Sequence, residues 1–434
     1  MLLEFRTKNY KSFVDEVHFS MMPAPKQKGL DYSILQAKVG SKKHKGLCSA
    51  VIYGPNASGK TNLIGAMDTL KSIVLRGNIK NSDAFSTNIA SSSLELIPNC
   101  NQAKTPTEFH IRFIDNGLLI DYFLEIDLGG FMDRNFLRKI LEEQLSVNDR
   151  LIFRRSSSSV HTEIPSVIKP YINKNFKENK QTQKIAEGSL SETELFLTNG
   201  FKAIYAQELV RLVIKWFDEK FITVCHSEEL RIFRHLANIK ANTIYVEKTL
   251  TEAARAFGIT ANMLGYGATK DNEEEAILLS IVKDKTLPAE VFESFGTIRF
   301  ITEFPLVIYA LLHGCTLVVD EFDASIHPMA LMSVINIFHN DEINKKNAQL
   351  IFNTHNPIFL DASLLRRDEI KFVERDEDAG NSVHYALSDF KTAAGIRKGE
   401  DYMHNYFVNR YGAIKDIDFL PIMEKIMNGA IPND

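Results

Sequence analysis

The chain has 434 residues, with 51 Lys plus Arg against 55 Asp plus Glu, a formal net charge of -4, 44% apolar and 24% charged residues. At roughly 100–200 residues per domain this length permits two or three domains, and it excludes a disulfide-stapled miniprotein, a peptide hormone and a disordered tail. The near-neutral total makes no bulk demand for nucleic acid, and the widely spaced Cys48, Cys100, Cys225 and Cys315 form neither a zinc knuckle nor a disulfide framework.

The opening MLLEFRTKNYKSF places Glu4, Arg6 and Lys8 where a signal peptide needs an unbroken apolar stretch, so the chain reads as soluble and cytoplasmic. Residues 2–8 and 15–20 alternate apolar and polar side chains, as two strands of a hairpin would. Leu47 to Tyr53 is an apolar strand running into GPNASGKT, and Asn62 to Val74 has apolar residues at helical spacing. From Glu108 to Leu128 the period returns to two, broken at Asp115-Asn116-Gly117, which predicts a second hairpin.

Near Arg150 the texture changes. Between residues 150 and 184 there are eight Lys or Arg (150, 154, 155, 169, 174, 177, 180, 184) against Glu163 and Glu178. Residues 192–220 and 243–257 have helical periodicity, so roughly 150–285 reads as a mainly helical insertion with Trp216 and Phe217 in its core. The apolar run Phe304 to Val319 is shorter than the ~20 residues that span a bilayer and reads as a buried helix followed by a buried strand. Gln349 to Asn353 and Ile370 to Glu374 are two further buried strands, and from Asp389 onward helix and loop mix. Tyr402, Tyr406 and Tyr411 in that last stretch suit a surface helix or a docking surface. The four cysteines are expected as small buried hydrophobes.

The octapeptide Gly54-Pro55-Asn56-Ala57-Ser58-Gly59-Lys60-Thr61, followed by Asn62, fits GxxxxGK[ST] and stands between a strand and a helix, as that motif requires. Its glycines allow backbone N–H groups to converge on phosphate oxygens at a helix N-terminus. Lys60 places a point charge on the β- and γ-phosphates, and the Thr61 hydroxyl is a ligand for Mg²⁺. Thr316-Leu-Val-Val-Asp320-Glu321 is an apolar strand ending in two acids: Asp320 suits a water-mediated hold on the metal, and Glu321 suits a general base for the attacking water. His355, after the next strand, is placed to contact the γ-phosphate, and His327 reads as a helix cap or a partner contact. Ser294, Gly296 and Thr297 precede a long apolar helix and offer a second anion site or a simple N-cap.

Together, FRTKNYKSF, GPNASGKT, PTEFHIRF, LFLTNG, ESFGTIRF, LVVDEFDASIHP, QLIFNTHNPIFLD, LRRDEIKFVE and NRYGAI resemble the ABC-type ATPase heads of the SMC and RecF group. The likeness is closer to the prokaryotic ABC-like AAA-family ATPases of phage-defence and abortive-infection operons. It implies an α/β head of the P-loop NTPase type, with an N-terminal lobe (1–149) and a C-terminal lobe (286–434) split by the insertion (150–285). It further implies ATP and Mg²⁺ as cofactors, His355 as a switch histidine, Asp323 and Ser325 in a D-loop, and Ser294, Gly296 and Thr297 as a shortened signature acting on a second subunit's nucleotide. A head-to-tail homodimer or higher oligomer around ATP follows from that resemblance, as does a separate nuclease or toxin effector. The alternative is a RecF-like DNA-repair or DNA-clamping ATPase that contacts nucleic acid through the basic 150–184 segment. The family's Q-loop glutamine has no clear counterpart; Gln102 stands near the expected strand.

Overall fold

The computed structural model describes residues 1–25, 27, 29–80, 96–101, 105–131, 136–177, 179–225, 252, 255, 263–268, 276–283, 285–324, 326–376, 378–390, 400–415 and 418–428. The strands are β1 (Leu2–Lys8), β2 (Val17–Ser20), β3 (Ile34–Val39), β4 (Lys42–Leu47), β5 (Ser49–Tyr53), β6 (Thr107–Asp115), β7 (Leu118–Asp127), β8 (Lys139–Val147) and β9 (Arg150–Arg155). They continue as β10 (Val160–Thr162), β11 (Phe221–Val224), β12 (Met263–Ala268), β13 (Ala276–Val282), β14 (Lys285–Pro288), β15 (Thr316–Val319), β16 (Gln349–Asn353), β17 (Ile370–Arg375) and β18 (Ser382–Ala386). The main helices are α1 (Lys60–Arg76), α2 (Lys180–Gly188), α3 (Gln207–Lys215), α4 (Phe295–His313), α5 (Pro328–His339) and α6 (Tyr402–Phe407).

An antiparallel sheet runs β10-β9-β8-β7-β6-β1-β2. It follows the period of two: Phe109, Ile111 and Phe113 of β6 and Tyr122, Leu124 and Ile126 of β7 are fully buried on its inner face. A second sheet runs β11-β15-β16-β5-β17-β18 and is parallel except at β18. Strands β15, β16 and β5 are buried at every position, as continuous apolar runs covered on both faces must be. Successive residues of a strand point to opposite faces, and Ile52, Val318 and Ile351 share one cluster with Leu63, Met67 and Leu70 of α1 and with the inner face of the antiparallel sheet. Val51, Leu317, Val319 and Phe352 belong to the other cluster, packed with α4 and α5. Helix α1 is therefore the middle layer.

Gln349, at 0% exposure, joins the two sheets. Its Oε1 accepts from Leu2 N at 2.6 Å and from Thr316 Oγ1 at 3.0 Å, while its Nε2 donates to Leu2 O and Leu47 O, both at 3.0 Å. A buried amide with all four bonds made fixes register without an unpaired polar atom.

Five expectations change. The boundary at 149/150 falls inside the β8–β9 hairpin, whose turn residues Asn148 and Asp149 sit at φ 52 and 59, so residues 150–162 extend the antiparallel sheet. Strand β11 pairs with β15 in the parallel sheet, and β12-β13-β14 form a small antiparallel sheet, so the described residues of 150–285 add strands to the expected helices, one of them in the parallel sheet itself. The polar, Lys-rich texture hides this because hairpin pairing depends on register between distant residues, not on composition. Trp216 stacks on Phe113 of β6 at 3.7 Å and on Phe221 at 5.0 Å, so it belongs to the head's core; residues 243–251, 253–254 and 256–257 lie outside the described residues. Cys48 and Cys315 are buried, but Cys100 is exposed. Tyr402, Tyr406 and Tyr411 are buried, with Tyr406 against Tyr53 and both Tyr406 and Tyr411 against Phe372, rather than presented on a surface.

Helix α4 is long and apolar enough to cross a membrane by length and composition alone, yet most of its apolar window is buried inside the protein as a core helix.

One buried charge pair holds residues 191–197 onto the antiparallel sheet. Glu143, at 0% exposure, accepts from Phe196 N at 2.7 Å, Leu197 N at 3.0 Å and Tyr122 Oη at 3.0 Å. Burial pushes its carboxyl up, with Arg155 opposing the shift. Arg155 donates to Ser191 O at 2.9 Å, Glu194 O at 3.3 Å and Ile140 O at 3.2 Å. Removing one member of a buried pair leaves an uncompensated charge, so Glu143→Ala is expected to destabilise the fold by about 3–5 kcal/mol. Tyr122→Phe should lose only about 1 kcal/mol. Guanidinium unfolding midpoints of the two variants check this order.

Candidate functional site

Strand β5 ends at Tyr53, and the turn into α1 is the Gly54–Thr61 loop. Two of its glycines are required sterically. A Cβ on Gly54 would lie 2.2 Å from Val373 O and 2.6 Å from Ser58 Oγ. Gly59, at φ +109, would place a Cβ 2.7 Å from both Ser12 Oγ and Ser382 Oγ. The same two serines pin the loop: Ser382 Oγ donates to Ser58 O at 2.6 Å, Ser382 N donates to Ser12 O at 2.7 Å, and Asn62 Nδ2 donates to Ser12 Oγ at 2.8 Å. Ser58 Oγ is buried and has no protein partner among the described residues, as expected of a loop shaped to accept a ligand's oxygens. An open cleft of about 790 Å³ runs between Pro55–Ser58 and Glu374, Arg375, Asp376 and Ile414.

Lys60 is only 6% exposed. Its Nζ donates to Gly54 O at 2.9 Å and Pro55 O at 3.0 Å. Burial lowers its pKa to about 8, against the opposing pull of the Asp320, Glu321 and Asp323 carboxylates. The ammonium is thus held inside the loop, close to three acids that follow β15, a strand of the same parallel sheet.

Those acids arrive because β16 lies between β5 and β15. Asp320, 2% exposed at the end of β15, accepts from Thr61 Oγ1 at 3.2 Å. Asn353, the last residue of β16, donates from Nδ2 to Asp320 Oδ1 and accepts at Oδ1 from Glu321 N. Glu321 sits at φ 52, a left-handed conformation that is strained for a non-glycine residue by about 1–3 kcal/mol and persists only where the surroundings impose it. Arg299 of α4 supplies the other restraint, donating from Nη2 to Asp320 O at 3.3 Å and Glu321 O at 2.8 Å. A buried carboxylate and a hydroxyl in contact form a hard oxygen donor pair, which fits Mg²⁺ chemistry.

His355 is exposed just past the end of β16. Lost hydration and then the Lys60 charge hold its pKa below the ordinary imidazole value, against the Asp323, Glu321 and Asp320 carboxylates. Asp323 accepts from Thr354 Oγ1 at 2.6 Å, and burial pushes its carboxyl up against that bond. Lys60, Thr61, Asp320, Glu321, Asp323 and His355 therefore form one cluster at the C-terminal edge of the parallel sheet.

Ser294, Gly296 and Thr297 are not drawn into it. Ser294 N-caps α4: its Oγ accepts from Thr297 N at 3.2 Å and bonds Thr297 Oγ1 at 2.8 Å. Ser294 itself is exposed while Gly296 is buried. His327 likewise caps α5, its Nδ1 accepting from Met329 N at 3.3 Å. Ser325 and Gln102 lie outside the described residues. In the basic 150–184 segment, Arg155 is buried on three carbonyls and Arg154 pairs with Glu142 at 2.7 Å at the surface, where Arg150, Lys169, Lys174, Lys177, Lys180 and Lys184 are also exposed.

Sequence reasoning missed Asn353, Arg299, Ser12 and Ser382. A polar residue ending an apolar strand (QLIFN) and a lone Arg-Glu pair in an apolar helix (TIRFITEF) are the signals that mark the first two. Ser12 and Ser382 carry none, because only the fold brings them to Gly59.

The model of a family described as "AAA domain, putative AbiEii toxin, Type IV TA system" matches residues 49–361. None of the curated proteins compared with the chain matches it. Among solved structures, the chain is similar to an SMC head domain from Thermotoga maritima, at 16% identity and a TM-score of 0.37, over 89% of this chain and 98% of that one. It is also similar to an Smc head domain with an extended coiled coil bound to the C-terminal domain of ScpA from Pyrococcus furiosus, at 13% identity and a TM-score of 0.39, over 89% and 96%.

Asn353→Leu removes one donor to the buried Asp320, which keeps its bond from Thr61, and the side-chain acceptor of the Glu321 N–H. A loss of about 1–3 kcal/mol is expected, measured as a lowered urea midpoint at unchanged slope.

Proposed function

The chain belongs to the AAA-domain family whose model it matches, and we propose that it is an ATP-binding and ATP-hydrolysing switch subunit that assembles around nucleotide and controls a separate effector. The observation that carries the reading is the contact between Thr61 of the phosphate loop and the buried Asp320 across the intervening strand, with Glu321 held beside them. A structural loop has no need of a lysine, a hydroxyl and three carboxylates converging on one edge.

In this reading Gly54, Pro55, Asn56, Ala57, Ser58, Gly59 and Asn62 cradle the phosphates through the loop and the N-terminus of α1. Lys60 leaves the Gly54 and Pro55 carbonyls for the β- and γ-phosphates. Thr61 and Asp320 hold Mg²⁺, which supplies charge neutralisation when bound. Glu321 accepts a proton from the attacking water, a role that contributes about 10²–10⁴ in rate. His355 donates to the γ-phosphate from the end of β16. Ser294, Gly296 and Thr297 at the start of α4 contact the nucleotide of a second copy, since the exposed Ser294 and its Thr297 partner stand apart from their own loop, and Asp323 belongs to the same contact in this reading. The family's description, which names a toxin and a toxin–antitoxin system, supports a role in abortive infection or antiviral defence, within which this reading assigns a separate nuclease or toxin as the controlled effector.

Lys60→Ala should abolish ATP binding, whereas Glu321→Gln should bind ATP and accumulate the nucleotide-bound assembly with phosphate release reduced by about 10²-fold or more. Filter binding, phosphate release and light scattering check the three parts. A Glu321→Gln protein that hydrolyses at the parental rate removes the assigned base.

The Lys60 pKa sets a pH dependence. Below about 8 the free protein already carries the proton, so ATP affinity stays level. Above it the free amine must take up a proton as the triphosphate binds, and affinity falls towards tenfold per pH unit. Calorimetry at pH 9 in buffers of differing ionisation heat should register proton uptake that is absent at pH 6.5.

A further inference from the structure

Glu321 is unusual in that both flanking peptide groups are held by buried side chains. Its N–H is bound by Asn353, and its C=O accepts from Arg299 Nη2 at 2.8 Å. The two bonds grip the residue on either side of a Cα at φ 52. Two buried side chains thus restrain the backbone from which the Glu321 side chain projects.

Arg299 reaches this position from within α4, where it and Glu303 are 6% and 1% exposed and pair at 2.9 Å. A buried ion pair stabilises a fold little more than apolar residues of the same volume would, so stability alone does not account for it. What distinguishes the pair is its orientation. Glu303 fixes Nε, and the planar fork then turns Nη2 towards both carbonyls after β15. Arg299 also lies five residues from Ser294, about 7.5 Å along the helix axis, so the exposed N-cap and the Glu321 backbone are attached to the same rigid helix, about a turn and a half apart.

We propose that Arg299 is a positioning residue that aims Glu321 for catalysis and couples that aim to a second copy of the chain docking on the Ser294 end of α4. The inference rests on the ATPase reading above and adds a route from the outer surface to the base. A shift of α4 on assembly moves Nη2 and with it the Glu321 peptide, without touching the phosphate loop.

The test uses the full chain and two variants. Arg299→Met/Glu303→Leu replaces the pair by apolar residues that keep the helix packed, and Arg299→Lys keeps a charge for Glu303 but loses the fork. ATP dissociation constant, turnover per subunit across a range of protein concentrations, and thermal unfolding are measured beside the parent. Both variants should bind ATP within about threefold of the parent, lose ~10–100-fold in turnover, and lose any rise of turnover with protein concentration. Parental turnover in a folded double variant overturns the proposal. So does a parallel loss of binding, turnover and thermal stability in both variants, which marks a merely structural pair. A parent that neither binds nor hydrolyses ATP overturns the ATPase reading itself, and this inference with it.

Discussion

The arrangement depends on one constraint, the parallel register of β15, β16 and β5. Val319 pairs with Phe352, and Phe352 with Val51, so the three strands end at one level. That is why Thr61, Asp320 and Asn353 meet although 259 positions separate the first two. Ligand sites in open α/β sheets lie outside the carboxyl ends of such strands, and here the edge gathers a lysine, a hydroxyl and carboxylates that no local segment contains together. Gln349 secures the opposite end, bonding β1, Leu47 at the end of β4 and β15 from the first position of β16.

Much of the polar chemistry inside the protein serves geometry rather than stability. Asn353 and Arg299 hold the backbone around Glu321, and Ser12 and Ser382 hold the phosphate loop. Glu143 and Arg155 clamp a distant segment to the antiparallel sheet, and Ser49, His339 and Glu369 form a fully buried hydrogen-bonded group within 3.0 Å of one another. That last group has the composition of a nucleophilic triad, but Ser49 at 0% exposure admits no substrate, and it ties the start of β5 to the end of α5.

Local pattern was enough wherever chemistry and spacing are contained in one stretch. GPNASGKT between a strand and a helix, the TLVVDE strand end, the 115–117 turn and the caps at Ser294 and His327 are all legible in this way. The antiparallel extension through β9 and β10 was not, since Arg154 and Arg155 read as two cations of a basic segment. Pairing with β8 places alternate residues on opposite faces, and Arg155 goes into the core while Arg154 stays in water. Trp216 was legible as a buried residue but not as a partner of Phe113, because an aromatic stack between distant segments leaves no periodic trace.

By itself the sequence determined the phosphate loop, the acidic strand end and the α/β class, because each is written in residues close together whose spacing admits few other uses. Only the tertiary structure decided which sheet each hairpin joins, which of the basic residues remain on the surface, and which side chains hold the backbone around Glu321. Those outcomes depend on strand order and on buried polar groups finding partners across hundreds of residues. The free energy of leaving such a group unpaired is set by the assembled interior.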